Sequence, residues 1–132
     1  MPLFKEPTSC PLAALSNLLT GPWTLYIIWI LRKDGPTRFG ALKRQIQGIS
    51  SKVLTERLRM LEQAEVIYRI YKPTIPPEVT YGLTQQAQED LIVLLDQFEA
   101  IAHKWYAREY PNSVSAQEKS QLLAPRNDLH YH

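Results

Sequence analysis

The segment from Gly48 to Gln63, Gly-Ile-Ser-Ser-Lys-Val-Leu-Thr-Glu-Arg-Leu-Arg-Met-Leu-Glu-Gln, constrains this chain more than any other. Ser50 is placed to cap a helix, because its hydroxyl can accept from a first-turn amide that has no intrahelical partner. From there Leu54, Leu58 and Leu61 recur at the i, i+4, i+7 spacing of one buried stripe. At about 100° per residue, Lys52, Thr55, Glu56 and Arg59 fall on the opposite face. Such a helix is either an ordinary amphipathic element with a solvated face or one whose polar face meets a partner. Serines at its start allow close approach of a phosphate backbone, and helix N-terminal amides attract anions.

The charge distribution favours a partner. The net charge is only +2, but Arg32 to Lys72 holds ten Lys/Arg against four Asp/Glu, and the rest holds five against nine. A positive field therefore lies over the centre, where the capped helix sits. With 132 residues the chain is expected to form one domain with a real core. Its single cysteine, Cys10, rules out an intrachain disulfide and fits a reducing compartment. Pro, Lys and Glu stand where a signal peptide would be hydrophobic. The most apolar run, Trp23 to Leu31, is about half the length of a membrane span. These features predict a soluble cytoplasmic protein with no membrane association.

In chain order, residues 1–9 contain two prolines and read as an irregular N-terminal arm. Pro11 to Leu19 predicts a short helix with Pro11 in the first turn. Gly21-Pro22 breaks it, and a nearly all-apolar helix from Trp23 to Arg32 follows, ended by Lys33-Asp34-Gly35-Pro36. A third helix, Arg38 to Ile46, buries Phe39, Leu42 and Ile46 and exposes Lys43 and Arg44. Gln47-Gly48 turns into the capped helix, so the pair has the pattern of a helix-turn-helix. Val66 to Tyr71 and Val79 to Leu83 are β-prone, with a proline-rich loop between them. A helix-turn-helix followed by such a hairpin is the winged-helix arrangement, and Arg69 and Lys72 lie at the wing. Thr84 should cap a long helix to about Tyr106, whose apolar side carries Leu91, Leu94, Leu95, Phe98, Ile101, Ala102 and Trp105. That stripe is wider than one small core requires, and dimerisation with the apolar first helix is its simplest outlet. Residues 107–132 are polar and proline-containing and read as a flexible C-terminal extension. His130 and His132 are too isolated to argue for a metal.

The assembled motifs resemble the HxlR-type family of bacterial winged-helix transcriptional regulators. The matching residues are Cys10-Pro11, Gly21-Pro22-Trp23-Thr24-Leu25, Gly35-Pro36-Thr37-Arg38-Phe39 and Leu42. They continue with Gly48 to Leu58, Leu61-Glu62, Pro77-Glu78-Val79-Thr80-Tyr81 and Leu83-Thr84. Pro22 stands where family members usually have Lys, beside a tryptophan expected in the core. The resemblance covers roughly residues 10 to 105, within a domain read as residues 10–106. It implies a mainly α fold with a small β-hairpin: a winged helix-turn-helix with flanking N- and C-terminal dimerisation helices. It also implies a homodimer on an inverted repeat of double-stranded DNA, the capped helix in the major groove and the hairpin as wing. In some family members a cysteine just before this proline senses electrophiles or oxidants, whereas a half-buried thiol can equally be a modest hydrophobe.

The residues assigned to DNA contact are Arg38, Lys43, Ser50, Ser51, Lys52, Thr55, Arg57, Arg59, Arg69 and Lys72, with Cys10 as the candidate sensor. No Gly-rich phosphate loop, metal-ligand spacing or nucleophile–base set points to an enzyme or a cofactor. Two alternatives stay open. One is a winged-helix protein-interaction module, which an acidic helix face would favour and Lys52, Arg57 and Arg59 do not. The other is a regulator that answers a small-molecule effector without thiol chemistry, with Trp23, Tyr26 and Trp29 as candidate pocket lining.

Overall fold

The computed structural model describes residues 10–110; the N-terminal arm and residues 111–132 lie outside the described residues, as do the readings made of them. The order of elements is α1 (Pro11–Leu19), α2 (Thr24–Asp34), β1 (Thr37–Arg38), α3 (Phe39–Gln45), α4 (Ser51–Gln63), β2 (Ile67–Lys72), β3 (Glu78–Leu83) and α5 (Gln85–Tyr106). Internal contacts divide the chain within α5, between Ile92 and Val93.

The first unit is built on α2, where Ile27, Ile28, Ile30 and Leu31 are buried. Leu42 and Ile46 from the α3 region, Leu54, Leu58 and Leu61 from α4, and Ile67 and Leu83 from the sheet are buried with them. The stripe at i, i+4, i+7 on α4 is thus spent entirely on this core, as its spacing requires. Two expectations for α2 need correction. Trp23 is not a helical core residue: it precedes the helix in the left-handed region, at φ 71°, and is 38% exposed. Nor is α2 buried all round, since Tyr26 and Trp29 stack on each other with centroids 6.0 Å apart, and Lys33 Nζ lies 4.7 Å over the Trp29 ring. The Tyr26–Trp29 pair does not line the cavities described below.

The hairpin belongs to a three-stranded antiparallel sheet of order β1-β3-β2. Strand β1 is only two residues long and pairs Thr37 with Tyr81 and Arg38 with Thr80. Arg38 therefore sits in a strand just before α3, not in the helix, because its extended backbone caps the helix start. β2 and β3 pair over their full length, from Ile67 opposite Leu83 to Lys72 opposite Glu78. Gly82 stands where the Tyr68 ring crosses the ladder, and any side chain there would overlap that ring.

α4 ends with Glu65 N–H donating to Glu62 O and Val66 N–H to Leu61 O, the paired bonds of a Schellman stop. The left-handed position of that motif, commonly Gly, is here Glu65 at φ 60°. Thr84 joins this end to the next helix. Its hydroxyl donates to Glu65 O at 2.9 Å and accepts from Ala87 N–H at 3.2 Å, so the expected cap of α5 is present.

In the second unit, the remainder of α5 has Leu95 fully buried and Phe98 half-buried, whereas Val93, Leu94, Ile101, Trp105 and Tyr106 are exposed. His103 faces Glu99 one turn earlier at 3.6 Å. Among the described residues no single helix is long and apolar enough to cross a membrane. α1 and α2 meet that test only as a pair, bent by 74°.

Candidate nucleic-acid interface

α3 and α4 are joined by a turn in which Gly48 takes φ 87°, a value that L side chains rarely adopt. Ile49 is buried under the turn and fixes where α4 begins. Ser50 has extended backbone angles, and its Oγ accepts from Val53 N–H at 3.1 Å. That bond satisfies one first-turn amide and leaves earlier ones directed outward, where the helix end attracts anions. Ser51, Lys52, Glu56 and Arg59 are exposed and Thr55 is half-buried. The polar face inferred from the helix phase is therefore the outer face.

Next to that face the structure forms a groove of about 680 Å³ between α3, Thr55 of α4, and the wing. Arg38, Arg44, Thr74 and Glu78 line it together with Thr55. Arg38 lies within 3.0 Å of the Glu78 carboxylate, so this cation is held by the wing. Arg44 was missing from the residues assigned to DNA, although its place beside Lys43 on the exposed side of α3 was the available signal. In the structure it reaches back over Gly40.

The wing itself carries Arg69 and Lys72 on β2, both exposed. They are three positions apart on a strand, so they project to opposite faces of the sheet. Arg69 lies 5.6 Å over the Tyr71 ring, a cation–π arrangement that holds the guanidinium near the strand.

Arg57 is not part of this assembly. It is half-buried, and its guanidinium lies 2.9 Å from the point where a side chain on Gly21 would begin. Its Nε and the hydroxyl of the buried Thr24 are both enclosed without a hydrogen-bond partner among the described residues. Arg57, expected among the DNA contacts, stands two residues along the helix from Thr55, about 200° round, which turns it away from that face. Cys10 is exposed and sits at the N-cap of α1, where its carbonyl accepts from Ala14 N–H at 3.0 Å.

Comparison with known proteins agrees with this architecture. The HTH-type transcriptional regulator BH0655 of Halalkalibacterium halodurans is 39% identical over 90 residues, covering 68% of this chain and 80% of BH0655. The reduced form of the transcriptional regulator YodB from Bacillus subtilis superposes with a TM-score of 0.60 at 35% identity, covering 74% of this chain and 95% of YodB. The redox regulator HypR in its oxidized form superposes with a TM-score of 0.65 at 26% identity, covering 71% of this chain and 95% of HypR. The HxlR-like helix-turn-helix model matches residues 18–110. The chain therefore belongs to the HxlR-like family of winged helix-turn-helix, DNA-binding transcriptional regulators.

Proposed function

We propose that this protein is a cytoplasmic homodimer that reads an inverted repeat in duplex DNA and works without catalysis. The observation that carries the reading is the outer face of α4. It is capped by Ser50, exposes Lys52 and Arg59 beside Thr55, and borders a groove shared with the wing. Lys52, Thr55 and Arg59 meet base edges in the major groove. Ser50, Ser51, Lys43 and Arg44 bind phosphates, and Arg69 and Lys72 reach the flanking backbone or minor groove. Arg38 is shared between phosphate and Glu78. The exposed apolar side chains of α1 and α5, among them Leu12, Leu15, Val93 and Trp105, supply the dimer contact.

Selection of bound sites from random duplexes tests the reading. The expected product is a two-fold repeat with half-sites about one helical turn apart. Affinity should fall steeply with salt, as several phosphates per dimer are neutralised. Binding unchanged between low and moderate salt would favour the protein-interaction module.

Cys10 gives this regulator a thiol input. Its exposure at a helix N-cap supports this, as does its kinship with HypR, which is described as a redox regulator. With one cysteine per chain, the response would be an adduct, a sulfenate or a bond to Cys10 of the second copy. Treatment with a quinone or peroxide should weaken DNA binding of the wild type and leave Cys10→Ser unchanged. Equal responses from both would make the thiol structural.

A further inference from the structure

A second cavity, of about 590 Å³, lies at the other end of α4 from the capped N-terminus. It is formed by α1, the end of α4, the start of β2 and the start of α5, all within the first unit. Leu18, Leu19, Val66, Ala87 and Leu91 make its wall apolar, and Tyr68 adds an aromatic ring. Its size is within the range of about 300–1,000 Å³ typical of small-molecule sites.

Its charge is one-sided. Glu62, Glu65 and Asp90 line it, and among the described residues no Lys, Arg or His does. Neither Glu62 nor Glu65 forms an ion pair among the described residues, and Asp90 accepts only the neutral amide of Gln86 at 2.9 Å. Glu62 stands in the last turn of α4, a turn with no basic residue, and Glu65 follows two residues after the helix. The carbonyl end of a helix is itself negative, so these carboxylates are placed where their own helix repels them. A net-positive chain has thus gathered three acids around an apolar hollow, and no described residue of the same walls supplies a counterion.

The geometry points to a binding site for an organic cation with a bulky apolar body. The hydrocarbon of such a ligand would fill the hollow between α1 and α5, and its charge would meet Glu62 and Glu65 at the rim. An anion of the same shape is repelled, and a small hydrated cation gains nothing from the apolar wall. Its described lining comes from one chain and needs no DNA, so it stands or falls separately from the reading of α4; Leu15 at its edge is also one of the residues given to the dimer contact. The same carboxylates border the last turn of α4, so an occupant touches the element whose other end is the candidate DNA contact.

Tetraphenylphosphonium and tetraphenylborate, two ions of nearly the same shape and opposite charge, provide the test. Titrated calorimetrically into the full-length protein without DNA, the phosphonium is expected to bind with a Kd on the order of 10 μM, and the borate at least 30-fold more weakly. Glu62→Gln with Glu65→Gln should weaken the phosphonium at least tenfold. Asp90→Asn, on a different element, should weaken it several-fold. Unfolding midpoints of these variants, taken alongside, separate a lost site from a lost fold. Equal binding of both ions would reduce the hollow to a general apolar slot. Failure of both to bind would mean that something else fills it. Wild-type affinity in the folded double variant would remove the carboxylates from the site. Each of these results overturns the proposal.

Discussion

α4 and α5 are both amphipathic helices, but they use their apolar faces in opposite ways. Every leucine of the α4 stripe is buried in the chain's own core, leaving the polar face as what the helix offers. α5 buries Leu95 and leaves Val93, Leu94, Ile101 and Trp105 in water. The first pattern is a narrow stripe satisfied within one chain, and the second is a broad one that a single chain does not cover. A helix is thus assigned a polar or an apolar partner by what its own core leaves uncovered. In the function proposed above, α4 serves recognition of DNA, and α5 serves the second copy.

The largest effect should come from attacking the satisfied stripe. Leu58→Ala is expected to destabilise the fold by about 2–5 kcal/mol, read as a lower denaturant midpoint at constant slope. A loss below about 1 kcal/mol would mean that α4 is not a core helix. Next is the unsatisfied stripe. Trp105→Glu should weaken dimerisation by about 2 kcal/mol or more while the protomer stays folded, seen by sedimentation across a dilution series. Leu95, buried within its own chain, is the wrong residue for this purpose, since a glutamate there attacks the fold. A wild type that sediments as a monomer at micromolar concentration would break the comparison at α5.

The polar face of α4 should respond more gently. Arg59→Ala is expected to cost about 1–3 kcal/mol on the preferred duplex and less on a scrambled one. Lys72→Ala should weaken both alike and flatten the salt dependence. If Lys72→Ala loses selectivity and Arg59→Ala does not, the roles of helix and wing are reversed. The smallest effect is at the cap. Ser50→Ala should lower stability by about 1 kcal/mol, because the Val53 amide loses its acceptor.

The parts of this molecule that could be read from the sequence are those in which one local rule acts alone. The phase of α4 follows from three leucines and a serine, and the cap of α5 from one threonine. β1 could not be read, because two residues carry no period, and only the register with Tyr81 and Thr80 makes Thr37-Arg38 a strand. Arg57 was given to DNA on its charge; its helical phase and its packing against Gly21 turn it from that face, and that contact joins residues several elements apart. The wide stripe of α5 left open which leucine is buried, since several helical phases fit it equally. The acidic hollow could not be seen at all, because its wall is drawn from positions between Leu15 and Leu91 that share no motif.

The strand order β1-β3-β2 leaves β2 at the margin of the sheet, with one row of backbone groups open to another chain. Its sequence, Ile-Tyr-Arg-Ile-Tyr-Lys, would be a strongly aggregating six-residue window without its two cations, and Ile70 and Tyr71 are about half exposed. Arg69 and Lys72 therefore guard solubility by mutual repulsion between copies, whatever they do on DNA. A wing variant that loses both charges should be checked for turbidity before its DNA binding is interpreted. In this strand, a loss of binding and a loss of soluble protein can come from the same two side chains.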